Sequence, residues 1–140
     1  MRVSQNSNEI TLSGVNDPDQ ARYTGRGVGM RAELDKTRDA RRTDEFNILL
    51  AHRPSFVKTY LDYGFDLILT GHAHGGQWRI PGILNGTFAP DEGFFPKYAG
   101  GLYSFDNGTE MIVSRGLARE STRVPRIFNR PELVIVELSH

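Results

Sequence analysis

The strongest constraint on this chain is a pattern repeated at its centre, in which an apolar run leads into histidine. Phe46 to Ala51 (FNILLA) is of buried-strand type and stops at His52-Arg53-Pro54, where proline ends strand pairing. Asp66 to Thr70 (DLILT) is a second such run and leads directly into Gly71-His72-Ala73-His74-Gly75-Gly76-Gln77. Between them, Ser55 to Tyr63 carries Phe56, Tyr60 and Tyr63 at helical spacing, with Ser55 as N-cap and Gly64 at the stop. Strand, helix, strand is a βαβ unit, which sets its strands parallel and their carboxyl ends on one edge. Ligands of open α/β sheets gather beyond that edge. His52, His72 and His74 are therefore expected on the side where a site would form.

The flanks add detail. Glu9 to Val15 alternates apolar and polar residues and reads as a half-buried strand ending in the turn Asn16-Asp17-Pro18-Asp19. Tyr23 to Met30 is a glycine-rich connector whose spacing fits neither a P-loop nor a dinucleotide fingerprint. Arg31 to Asp44 reads as an exposed, charged helix. Gln77 to Ile80 reads as a strand, and Leu102 to Phe105 with Met111 to Val113 as a hairpin across Asp106-Asn107-Gly108. Leu133 to Leu138 (LVIVEL) is the strongest β signal of all. Asn85-Gly86-Thr87 and Asn107-Gly108-Thr109 match a glycosylation acceptor but read first as turns.

Composition narrows the chemistry. With no cysteine, a metal site must use histidine, carboxylate, amide or water. The 17 basic and 17 acidic residues leave no basic excess, so no nucleic-acid partner is expected. No run approaches the roughly 18 apolar residues of a membrane span, and the N-terminus lacks a signal-peptide core. His72 and His74 read either as polar turn residues or as metal ligands. Gly71, Gly75 and Gly76 favour the second, because they strip the loop of bulk and permit a sharp turn around a small object. Neutral imidazole suits Mn, Zn and Fe.

Asn47-Ile48-Leu49-Leu50-Ala51-His52-Arg53-Pro54, Asp66 through Gln77, and Val113-Ser114-Arg115-Gly116-Leu117 together resemble the calcineurin-like metallophosphoesterases. Within them the similarity is greatest to the bacterial membrane-associated or exported branch. It runs from Glu9-Ile10 to Asn129-Arg130-Pro131-Glu132. The resemblance implies an α/β fold, namely the C-terminal part of a four-layer αββα sandwich. It also implies two divalent metals (Mn, Zn or Fe) about 3.5 to 4 Å apart that activate water against a phosphate ester. By position, His52 and His72 resemble ligands of one metal and His74 a ligand of the other. The family's Asp-x-His, Gly-Asp-x-x-Asp and Gly-Asn-His blocks, the last holding its general acid, do not occur here. On this resemblance the chain is one partial domain, 1–140, and its catalytic acid is not among its residues.

Consequences follow for partners. Arg115, Arg119, Arg123, Arg126 and Arg130 could hold phosphate or form a solvated loop, with Arg115 the leading candidate. Phe88, Phe94, Phe95 and Tyr98 read as loop packing ahead of a substrate wall. The parent protein is expected to hydrolyse a phosphomonoester, phosphodiester or pyrophosphate, with association to a membrane open to it. The rivals are a noncatalytic fragment with weak or no metal binding, and a structural turn in a binding module. An exposed sheet surface would promote self-association.

Overall fold

The computed structural model describes all residues except 6–7, 21–24, 26–28, 81, 90–91, 118–124 and 140. Most of the glycine-rich connector, Arg119, Arg123 and His140 therefore lie outside the described residues. The chain forms two compact units: Met1–Thr70 with Leu102–Ile112, and Gly71–Gly101 with Val113–His140.

The first unit is built on a mixed six-stranded sheet, so the fold is α/β. Its strands are β1 (Arg2–Gln5), β2 (Asn8–Gly14), β3 (Phe46–Leu50), β4 (Leu67–Thr70), β7 (Gly101–Ser104) and β8 (Glu110–Val113), in the order β1-β2-β3-β4-β8-β7. The expected βαβ unit is present. β3 and β4 are parallel, with Leu50 opposite Leu69, and α2 (Val57–Leu61) connects them. β2 is also parallel to β3, with Gly14 opposite Leu50. The edge strand β1, antiparallel to β2, was not anticipated. Leu49 and Ile68 are completely buried, each contributing about 2 kcal/mol by removal from water. Tyr60, Phe65, Leu34 and Met111 complete this core.

Three local expectations need correction. The helix foreseen over Arg31–Asp44 is short: α1 spans Met30–Asp35, and a 3-10 turn follows at Arg38–Ala40. Thr37 Oγ1 donates to the Leu34 carbonyl at 2.7 Å, a local bond of the kind that competes with helix continuation. Nor is α1 a purely solvated face, since Met30, Glu33 and Leu34 are buried. Ser55 does not cap α2; the segment opens with a 3-10 turn at Pro54–Phe56, where proline supplies the preset φ. Leu133–Leu138 forms no strand, and Leu133 and Ile135 are exposed. Its β-favouring side chains lack a neighbouring ladder among the described residues, and propensity alone does not make a strand.

Glu33 ties α1 to the turn after β2. Its carboxylate pairs with Lys36 and accepts Asn16 Nδ2 at 3.0 Å and the Asn16 amide at 3.3 Å. The Lys36 hydrogen bond leads in holding its pKa below the ordinary 4.5, with Asn16 adding to it against the opposing effect of burial. A carboxylate with a depressed folded pKa stabilises fully above its unfolded value and loses that contribution as pH falls through the folded one. Acid urea titrations should therefore show wild-type stability falling below pH 4.5 more steeply than that of Glu33→Gln. Parallel acid limbs would contradict this assignment.

The second unit has little regular structure. Among its described residues, β5 (Phe88–Ala89) pairs with β6 (Gly93–Phe94) in a two-stranded antiparallel sheet. The strand expected over Gln77–Ile80 is replaced by two isolated bridges, Trp78 with Ile127 and Ile80 with Leu84. Gln77 has φ 52°, which breaks the extended geometry a strand requires. No helix among the described residues is long and apolar enough to cross a membrane.

Candidate metal centre

In the first unit, the ladder ends at Ala51, whose amide donates to the Leu69 carbonyl at 3.0 Å, and His52 follows. The His52 side chain is 53% exposed, and its Nε2 lies 3.8 Å from Asp17 Oδ2. Asp17 is fixed by Arg53, whose Nε reaches both carboxylate oxygens at 3.0 Å while Nη2 pairs with Asp19. Arg53 is anchored in turn, its carbonyl accepting Tyr60 Oη at 2.9 Å. Burial pushes the Asp17 pKa upward. The Arg53 hydrogen bond, the Asp19 amide and the charges of Arg53 and His52 outweigh it, holding the carboxyl below its ordinary value. Asp17 was passed over in the sequence as a turn residue. Since β2 and β3 are parallel with Gly14 opposite Leu50, residues just past each strand share an edge, which would have signalled it.

In the second unit, the histidine loop is backbone-strained. His72 (φ 61°), His74 (φ 48°) and Gln77 (φ 52°) occupy the left-handed region, as do Gly75 (φ 68°) and Gly76 (φ 66°). A non-glycine residue there costs about 1–2 kcal/mol. Such strain persists where the surroundings over-determine it, and it gathers at ligand clamps. The surroundings here are specific. Asn129, 3% exposed, donates both amide hydrogens from Nδ2, to the His74 carbonyl at 2.6 Å and the Gln77 carbonyl at 3.1 Å. The Gly76 carbonyl accepts the amides of Trp78 at 2.6 Å and Thr87 at 3.0 Å. Trp78 Nε1 donates to the Pro125 carbonyl at 3.1 Å.

The glycines differ in what they contribute. A Cβ on Gly75 would collide with the Asn129 amide, and one on Gly76 would sit 2.5 Å from Gly86 Cα. Gly71 has room: a Cβ there would meet only the Ser114 carbonyl, at 3.9 Å.

His74 has a cationic neighbour. Arg126 Nη2 lies 3.2 Å from His74 Nδ1 and donates to the Arg115 carbonyl at 2.6 Å. Arginine only donates, so Nδ1 accepts in this contact and a neutral ring carries its proton on Nε2. A metal on Nδ1 would take Arg126's place; a metal on Nε2 would take the proton's. Arg115 pairs through Nη2 with Glu132, so its charge is engaged within the chain. Phe88 and Phe94 stack edge to face at 5.6 Å, and Tyr98 is buried, which is loop packing; Phe94 and Phe95 remain exposed.

The imidazole donors on this constrained loop fit part of a transition-metal shell by type. Among the described residues, no group of three or more His, Cys, Asp or Glu gathers to hold a metal.

Comparison with known proteins gives the family. The chain is 36% identical over 91 residues to phosphodiesterase YaeI of Escherichia coli, covering 65% of this chain and 32% of that protein. It is 31% identical over 136 residues to an uncharacterized metallophosphoesterase of Aquifex aeolicus, covering 94% and 46%. It is 30% identical over 95 residues to the UDP-2,3-diacylglucosamine pyrophosphatase LpxG of Chlamydia muridarum, covering 64% and 28%. No family model and no solved structure matches it. The chain spans less than half the length of each of these relatives. The histidine-bearing strand ends and these relatives agree: the chain belongs to the calcineurin-like metallophosphoesterase superfamily.

Proposed function

We propose that this chain supplies the histidine ligands of a two-metal phosphoester-hydrolysing centre, with the remaining ligands and the general acid coming from sequence outside residues 1–140. The observation that carries the proposal is the strained loop. Two imidazoles sit on left-handed backbone that Asn129, Gly76 and Gly86 hold in place. Strain of this kind clusters at ligand clamps and active sites.

His72 and His74 would each present a ring nitrogen to divalent metal, and His52 would add a third. Bound metals of the Mn, Zn or Fe kind would polarise the phosphoryl group and activate water. Asp17 lies beside His52 and would orient its ring, in the manner of the carboxylates that back metal-binding histidines. Arg115, whose Nη2 pairs with Glu132, would offer a phosphoryl oxygen its remaining N–H donors or exchange Glu132 for it. In this reading the six-stranded sheet is one of the two in an αββα sandwich. The complete protein acts on a phosphomonoester, phosphodiester or pyrophosphate, and membrane association belongs to that whole, whereas self-association through exposed sheet surface belongs to residues 1–140 by themselves. The names of YaeI and LpxG favour the last two substrate classes.

A second reading, a noncatalytic fragment with weak or no metal binding, is favoured by one observation: Arg126 already occupies His74 Nδ1. One comparison separates the two. A chromogenic phosphodiester with Mn²⁺ is assayed against the complete gene product and against residues 1–140 alone. The complete product should turn over and stop with EDTA, while 1–140 alone should be slower by at least about a thousandfold. Equal activity from 1–140 alone, abolished by His72→Ala, would refute the divided centre. Inactivity of a folded, metal-loaded complete product toward every phosphoester class would leave the noncatalytic reading.

A further inference from the structure

Within the second unit, residues 125–132 meet the histidine loop in two different ways. The first is through its backbone. The Ile127 amide donates to the Gln77 carbonyl at 3.1 Å, and Asn129 Nδ2 donates to the carbonyls of His74 and Gln77. The second is through a ring, where Arg126 Nη2 lies 3.2 Å from His74 Nδ1. The backbone contacts shape the loop. The ring contact instead occupies a nitrogen of a residue that the metal-centre reading needs.

Arg126 is poorly satisfied where it sits. Its Nη2 also donates to the Arg115 carbonyl at 2.6 Å, but Nε and Nη1 are buried with no acceptor. It pairs with no carboxylate among the described residues, and Glu132, on the same segment, pairs with Arg115 instead. Buried donors without acceptors are costly. The hold on His74 therefore carries a standing penalty, and a competing ligand can break it.

The proton count of the ring decides what must break. A neutral imidazole has one N–H and one lone pair, and arginine only donates. With Nδ1 accepting from Arg126, the ring proton is on Nε2. For Nδ1 to take a metal, its lone pair must leave Arg126. For Nε2 to take one, its proton must move to Nδ1, where it would face the N–H of Arg126, donor against donor. By either route the arginine has to leave. The loop need not move, because Asn129 holds its backbone independently.

We propose that Arg126 is an autoinhibitory latch on His74, which must open before either ring nitrogen can take a metal. The latch keeps this half of the centre from loading by itself, and the ligands supplied by the rest of the protein tip the competition. The inference rests on the metal-centre reading and adds to it a residue that opposes metal.

Nitrogen NMR of the His74 ring in residues 1–140 reads both the tautomer and the arrival of Zn²⁺. It is run at about pH 8, above the ordinary imidazole pKa of about 6.5. The metal-free wild type should carry the ring proton on Nε2. Arg126→Met removes the donors and the charge, so Zn²⁺ should bind at His74 at least about tenfold more tightly, as for a latch closed about nine times in ten. Asn129→Ala should act oppositely, weakening Zn²⁺ by about tenfold or more as the loop loses its brace. A merely structural role for residues 125–132 would weaken binding in both variants. If Arg126→Met does not fold by circular dichroism, Arg126→Leu takes its place, and the wild-type tautomer is read in any case. The latch is refuted if the metal-free ring carries its proton on Nδ1, or if removing the arginine leaves Zn²⁺ affinity at His74 equal or lower. Zn²⁺ reaching His74 in neither wild type nor variant refutes it too, whereas the metal-centre reading fails only if His74 also takes no metal in the complete gene product.

Discussion

His72→Ala and His74→Ala, each made in the complete gene product, are expected to lower metal-dependent phosphoester hydrolysis by at least about a hundredfold. Even outer partners of a metal ligand typically cost ten- to a hundredfold, so a lost ligand sets a higher floor. The loss should appear in kcat/KM at fixed Mn²⁺ and be only partly recovered by excess metal, because the missing nitrogen also positions the ion. His52→Ala should fall in the same class. Alanine at 72 or 74 also relieves no backbone strain, since Cβ is retained at φ 61° and φ 48°. Stability should therefore change little while activity collapses. Activity within about threefold of wild type in either variant would remove that histidine from the proposed centre.

The largest stability effect is expected at Gly76→Ala. Its Cβ would stand 2.5 Å from Gly86 Cα and 3.0 Å from the Gly86 carbonyl carbon, both backbone, at φ +66°. Two backbone segments must separate to admit it, so a loss of about 3 kcal/mol or more is expected in urea unfolding. Two other glycines resolve the causes. Gly82→Ala keeps the unfavourable φ of +79° but meets nothing within 4 Å, so it should cost about 1–2 kcal/mol. Gly71→Ala meets only ordinary contact at 3.9 Å and should cost less than either. If all three variants cost the same, the close approach of Gly76 to Gly86 is not what holds the loop.

The parts of this protein that were legible in its sequence are those in which local pattern and tertiary structure agree. Phe46–Leu50 and Leu67–Thr70 are apolar runs with proline or glycine at their ends, and they became adjacent parallel strands. The hairpin of β7 and β8 follows from Asn107-Gly108, where Gly108 has φ +85°. The failures arose where partners decide the outcome. Leu133–Leu138 has strong β propensity but no ladder beside it among the described residues. α1 stops early because Thr37 turns its hydroxyl back onto the Leu34 carbonyl. In the candidate site, the histidines and glycines were visible by type. Asn129, which holds the loop from 52 residues beyond Gln77, carried no local signal. Arg126 was visible only as one of five arginines, and its contact with His74 is a tertiary fact.

The central claim is that the Gly71–Gln77 loop carries metal ligands. The most direct measurement is anomalous scattering at the metal edge from crystals of the complete gene product grown with Mn²⁺ or Zn²⁺. The account predicts peaks within roughly 2.0–2.3 Å of a ring nitrogen of both His72 and His74, with Arg126 displaced from any nitrogen so used. Metal peaks coordinated elsewhere, with Arg126 still on His74 Nδ1, would contradict it.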